Sequence, residues 1–147
     1  MAFKSMSEIA TKERKGGGGR RGHKYMTQIN NSIRFNETKN GSNRKSLTFT
    51  IGIDIVKKYR LLIGDSVDVL FDADDRIALI RRVQTGGYTV CGSGIPASDV
   101  IEGKYYRSIV KCSRYDGMPS TDMSVFVTDI EITDDGIMFK FPDSVNM

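Results

Sequence analysis

The chain has no tryptophan, one histidine, three prolines and two cysteines among its 147 residues. His23 lies in the run Lys12–Lys24, which contains no apolar residue, so a Ser-His-Asp or Cys-His arrangement lacks a positioned base. No enzymatic activity and no catalytic residue is therefore expected. One histidine and two separated cysteines do not make a zinc ligand set, and no metal or other cofactor is expected either. Cys91 and Cys112 stand outside any C-x-x-C spacing and read as two free, half-buried thiols on strands rather than as a disulfide. No apolar stretch approaches the roughly 20 residues needed to cross a bilayer as a helix. The first 19 residues also lack a continuous apolar run. No secretory signal is read there, and the expected location is cytoplasmic, in a bacterial cytosol or an infected host cell.

What the chain does contain is unevenly spread charge. The net charge is +4, but Met1–Ser46 carries +8 and Leu47–Met147 carries −4. Residues 1–26 read as a disordered basic arm rich in Arg and Gly, because a stretch without apolar residues cannot offset its ordering entropy. Arg20, Arg21 and Lys24 in this arm are candidates for phosphate contacts, since cations on a nucleic acid release condensed counterions. Gly17–Lys24 superficially resembles a phosphate-binding loop. It fails as one: His23 intrudes between Gly22 and Lys24, Tyr25 stands where Ser or Thr is needed, and no hydrophobic strand precedes it.

The remainder reads as mainly β (α+β), divided into 27–85 and a β-rich extension, 86–147, packed with it as one globule. Ile29, Ile33 and Phe35 mark a first strand, and Asn36–Asn43 reads as a turn. In Ser46–Ile51, Leu47, Phe49 and Ile51 alternate with polar residues, which predicts a half-buried strand. From Ile53 to Leu62 the apolar spacing changes to that of a short amphipathic helix with Lys57, Lys58 and Arg60 facing elsewhere. Gly64-Asp65 marks a turn, and Ser66–Phe71 with Arg76–Ile80 forms a hairpin around Asp72–Asp75. That acidic cluster lacks the spacing of a calcium loop and reads as a polar turn. Farther on, strands are expected at Tyr88–Cys91, Tyr105–Cys112, Ser124–Ile132 and Ile137–Phe141. One helical turn is expected near Ala97–Val100.

Read together, Thr48-Phe-Thr-Ile51, Val56-Lys-Lys58, Leu61-Leu62, Gly64-Asp65, Val67-Asp-Val69, Asp72–Asp75 and Ile77-Ala-Leu79 resemble the half-repeat of the AbrB/SpoVT/MazE-type swapped-hairpin family. The similarity covers about residues 48–83, and the Ile-Pro that opens the family's helix is missing from Thr50-Ile-Gly-Ile53. The resemblance implies an intertwined homodimer that binds duplex DNA, with Lys57 and Lys58 at the basic-pair positions and Arg44 and Lys45 just ahead of the strand.

Arg34, Arg44, Lys45, Lys57, Lys58 and Arg60 fall in one 27-residue window whose only acids are Glu37 and Asp54. These six, with Arg20, Arg21 and Lys24, are the candidate DNA-binding residues. The plainer alternative for the helical cations is an ordinary solvated face. Asn40 and Asn43 could reach base edges but read more simply as turn residues. The expected function is that of a non-enzymatic DNA-binding protein, a small phage or bacterial transcriptional regulator or DNA-associated factor. One alternative is a single-strand DNA or RNA module stacking bases on Tyr105 and Tyr106, near Arg107, Arg114 and Tyr115. Another is a viral structural or host-interaction protein whose arm, or whose C-terminal part, binds a protein partner.

Overall fold

The computed structural model describes residues 3–13, 30–40, 44–115 and 117–147. The fold is mainly β, built from two antiparallel sheets around one core. Alternation in Ser46–Ile51 yields β3 (Arg44–Ile51), whose Leu47, Phe49 and Ile51 are fully buried. It is the central strand of the second sheet. There it lies between β2 (Ile33–Asn40) and β8 (Ser108–Arg114), with β7 (Cys91–Gly92) and β9 (Val125–Val127) at the edges, in the order β7-β8-β3-β2-β9. The first sheet has the order β1-β4-β5-β11-β10. Its strands are β1 (Lys4–Ser5), β4 (Ser66–Asp72), β5 (Ile77–Arg82), β10 (Ile130–Thr133) and β11 (Gly136–Lys140). A further short strand, β6 (Tyr88–Thr89), pairs with the start of β4.

The sheets meet through aromatic residues. Phe49 of the second sheet contacts Phe139 of the first at 6.1 Å between ring centroids, Phe35 meets Phe141 at 5.3 Å, and both pairs are edge-to-face. Residues 86–147 share this core: β8 is laddered to β3 and β11 to β5. Both expected hairpins form, β4–β5 and β10–β11. Among the described residues no helix is long and apolar enough to cross a membrane.

Several expectations need correction. The stretch from Asn36 to Asn40 is not a turn but the second half of β2, in register with β3 as far as Asn40 opposite Arg44. Asn36 and Thr38 take alternate positions on the outer face, and the ladder overrides the weak strand propensity of Asn. Tyr88–Cys91 and Ser124–Ile132 are each divided between sheets. The chain leaves the first sheet at Thr89 and enters the second at Cys91, and it crosses back between Val127 and Ile130. Alternation along a sequence does not reveal which sheet a residue joins, and sandwich corners are made by such crossings. The strand expected at Tyr105–Cys112 is instead β8, which begins at Ser108 and runs on to Arg114.

Part of the expected arm is ordered. Residues 4–13 form β1 and α1 (Met6–Glu13), with Met6 completely buried and Ala10 nearly so. Ser5-Met6-Ser7-Glu8 has capping-box spacing, and the Ser5 hydroxyl accepts the Glu8 backbone N–H at 3.2 Å. Asp68 of β4 accepts the Ser5 hydroxyl proton and the Ser7 backbone N–H, tying the helix start to the sheet. The sparse apolar content hid this segment, because the three apolar residues Met6, Ile9 and Ala10 suffice once a cap and a strand pairing orient them.

The cysteines differ more than expected: Cys91 is exposed on β7 and Cys112 fully buried on β8, both free. Burial pushes the Cys112 thiol far above its ordinary range; a hydrogen bond with Tyr88 opposes this and the charge of Asp68 adds to it. The expected result with a chromogenic disulfide reagent at mildly alkaline pH is one rapid equivalent of thiol, from Cys91, with the second released only on unfolding. Two rapid equivalents in the native protein would contradict the placement of Cys112.

Candidate nucleic-acid interface

Helix α2 (Ile53–Tyr59) closes one end of the sandwich through buried Ile55, Val56 and Tyr59. The chain enters it at Gly52, whose N–H donates to the Ser32 carbonyl at 2.9 Å. A Cβ there would stand 2.1 Å from the Asn30 carbonyl oxygen. The backbone here leaves no room for a side chain, and proline would also lose the hydrogen bond.

The helix ends earlier than Leu62 because Arg60 adopts the left-handed conformation, φ 58° and ψ 45°. The Arg60 N–H donates to the Lys57 carbonyl at 3.2 Å and the Leu61 N–H to the Val56 carbonyl at 3.0 Å, with Leu61 buried. This is a Schellman ending with arginine where glycine is usual. Arg60→Gly is expected to raise stability by about 1 kcal/mol, the usual cost of a left-handed non-glycine residue. A urea midpoint lower than that of the natural protein would count against this.

Beyond the helix, Gly64 takes φ 99° and Asp65 accepts the Leu62 N–H at 2.9 Å, as the Gly-Asp turn requires. Arg82, at the end of β5, completes the corner. Its guanidinium donates to the Tyr59 carbonyl at 2.8 Å and to the Arg60 carbonyl, pairs with Asp65 at 3.3 Å, and lies 4.4 Å over the Tyr59 ring. A cation on the last carbonyls of a helix satisfies them and complements its dipole. Arg82 stands in no motif of the sequence; its proximity to the Gly-Asp turn through the hairpin is the available signal.

Because Arg82 engages Asp65, Lys57, Lys58 and Arg60 stand exposed around the helix end without an ion pair among the described residues. Arg81 is exposed on the neighbouring strand. Lys58, Tyr59, Arg60 and Arg82 form one wall of an open cleft of about 510 Å³, with Ile132, Thr133 and Asp134 opposite. Of the other candidates, Arg44 and Lys45 lie elsewhere, whereas Arg34 stands beside the start of α2. Arg34, in register with Thr50, donates to the Ser124 hydroxyl at 2.9 Å. Lys45 pairs with Glu37 at 4.0 Å. Arg44 starts β3, whose seven steps at about 3.3 Å each put it about 23 Å from Ile51 and hence from α2. One sequence window is thus split into two regions by an extended strand. Arg20, Arg21, Lys24 and Asn43 lie outside the described residues.

The aromatic alternative is also relocated. Tyr105 packs against the core, and the Tyr106 hydroxyl accepts the Ile101 N–H at 3.1 Å beneath Lys104, so neither lies on a strand. Among the described residues no group of three or more His, Cys, Asp and Glu could hold a metal ion. Compared with known protein families, curated proteins and solved structures, the chain matches none.

Proposed function

We propose that this protein binds nucleic acid without catalysing a reaction, and that the α2 end of the sandwich grips duplex DNA. The observation carrying this reading is the group of exposed cations Lys57, Lys58 and Arg60, held on a short helix whose end is fixed by Arg82 and Tyr59. Rigid placement lets each cation meet a phosphate at little ordering cost, and the basic front third adds long-range attraction. The order β3, α2, Gly64-Asp65 turn and β4–β5 hairpin supports the swapped-hairpin resemblance, on which the roles of small regulator and homodimer rest alone. Lys and Arg contacts of this kind supply affinity and orientation rather than sequence readout.

The test is fluorescence anisotropy of a labelled duplex titrated with the full chain over a series of salt concentrations. The expected result is a log–log decline with a slope magnitude of at least about 2.7, three phosphate contacts at about 0.9 each. No binding at low salt would overturn the reading.

A further inference from the structure

We infer that the outer face of the five-stranded sheet is a second binding surface, for single-stranded nucleic acid, and that this inference stands whether or not the α2 end binds duplex. Register assigns the two faces. Phe35, Phe49, Val110 and Val125 are buried and in line across β2, β3, β8 and β9, so the alternate residues face outward. One outward row crosses all five strands as Cys91, Ile109, Thr50, Arg34 and Phe126. The next contains Lys111, Thr48 and Asn36, and the one after it Ser113, Ser46 and Thr38.

No outward position on these strands is Asp or Glu; Asp122 and Asp129 lie beyond the ends of β9. The chain as a whole carries 18 Asp and Glu, and the Leu47–Met147 portion is net acidic, so an acid-free face of this breadth is a local exception. Lys111 is exposed, and Phe126 is 40% exposed in direct register with Arg34.

The central strand's outward Thr50 and Ser46 are buried, so the open part of this face is its flanks, where an exposed phenyl ring and cations match what an unpaired strand offers: the face of a base to stack and phosphates to follow. A duplex keeps its base faces covered, and an acidic peptide makes no demand on the ring. Neighbouring strands stand about 4.8 Å apart and outward rows about 6.7 Å apart, so Arg34, Phe126 and Lys111 lie within the span of a few nucleotides. The aromatic residue that this sheet presents is Phe126, in place of the expected Tyr105 and Tyr106.

The experiment titrates the full chain into labelled oligothymidylate at several salt concentrations. Phe126→Ala is expected to weaken binding about fivefold or more, and Phe126→Trp to restore it, since base stacking on one aromatic contributes about 1–3 kcal/mol. Lys111→Gln is expected to lower the slope magnitude by about 0.7, the contribution of one contact on a single strand. Circular dichroism identifies any variant that has not folded, and the exposed positions of both residues keep at least one variant informative. Natural affinity in both Phe126→Ala and Lys111→Gln would overturn the inference. So would a polyglutamate peptide competing as well as unlabelled oligothymidylate, which would make the face a general polyanion surface. The α2 reading is judged separately, on duplex with variants of Lys57, Lys58 and Arg60, so either site can fail alone.

Discussion

Met6→Ala is expected to destabilise the protein by about 3 kcal/mol, within the range for truncating a buried methionine. Met6 is completely buried in the common core, although it stands only six residues from the first residue of a polar, basic stretch of sequence. Its helix is oriented by Asp68, which accepts the Ser5 hydroxyl and the Ser7 N–H, and β1 pairs with β4 at Lys4–Phe71 and Ser5–Leu70. The cavity left by a shorter side chain is therefore bounded by a sheet and a capped helix that cannot readily close it. Asp68→Ala is expected to lose about 1 kcal/mol, because the half-buried Ser5 and Ser7 donors then lose their charged acceptor. Urea denaturation monitored by far-ultraviolet circular dichroism measures both. A Met6→Ala midpoint equal to that of the natural protein would show that α1 does not belong to the core.

The second large effect falls on binding. Changing Lys57, Lys58 and Arg60 together to Gln is expected to lower the duplex salt slope by about 2.7 and the affinity at about 0.1 M salt by on the order of a hundredfold. The three side chains are exposed and make no ion pair among the described residues, so their loss leaves no buried charge unpaired and folding should persist. Arg82→Gln is a useful contrast. Its guanidinium is already committed to Asp65, two carbonyls and the Tyr59 ring, so its replacement should lower stability. A triple variant that keeps the natural slope would place the duplex contacts elsewhere.

Strands with strict alternation and turns with positional chemistry were legible in the sequence. Leu47, Phe49 and Ile51 announced β3, and Asp72–Asp75 and Asp135-Gly136 announced their hairpins, because those signals are local. The end of α2 was not, since an arginine holds the left-handed position where glycine would have marked the stop. Asn36–Asn40 was misread because its strand is imposed by pairing with β3, a non-local effect. The crossings at Val90 and at Thr128–Asp129 were invisible for the same reason.

The candidate site was legible in composition but not in arrangement. Lys57, Lys58 and Arg60 were correctly seen to face away from the apolar stripe, while Arg44 and Lys45 were grouped with them only because the sequence separation is small. An eight-residue strand converts that closeness into distance, and Glu37 engages Lys45. Arg82 is marked only by its nearness to the Gly-Asp turn through the hairpin, and Phe126 by nothing local, since its partner Arg34 comes from an element distant in sequence.

The most direct measurement of the central claim compares the natural full chain with a full-length variant in which Arg14, Lys15, Arg20, Arg21 and Lys24 are all Gln. Substitution is preferable to truncation because removing the N-terminus would also remove Met6 and Ala10 from the core. Both proteins are titrated into labelled duplex DNA across a salt series. The variant is expected to keep a slope magnitude of about 2.7, from Lys57, Lys58 and Arg60. A variant that no longer binds at low salt would contradict it, leaving the basic segment as the whole of the DNA contact and the folded sheets without a part in it.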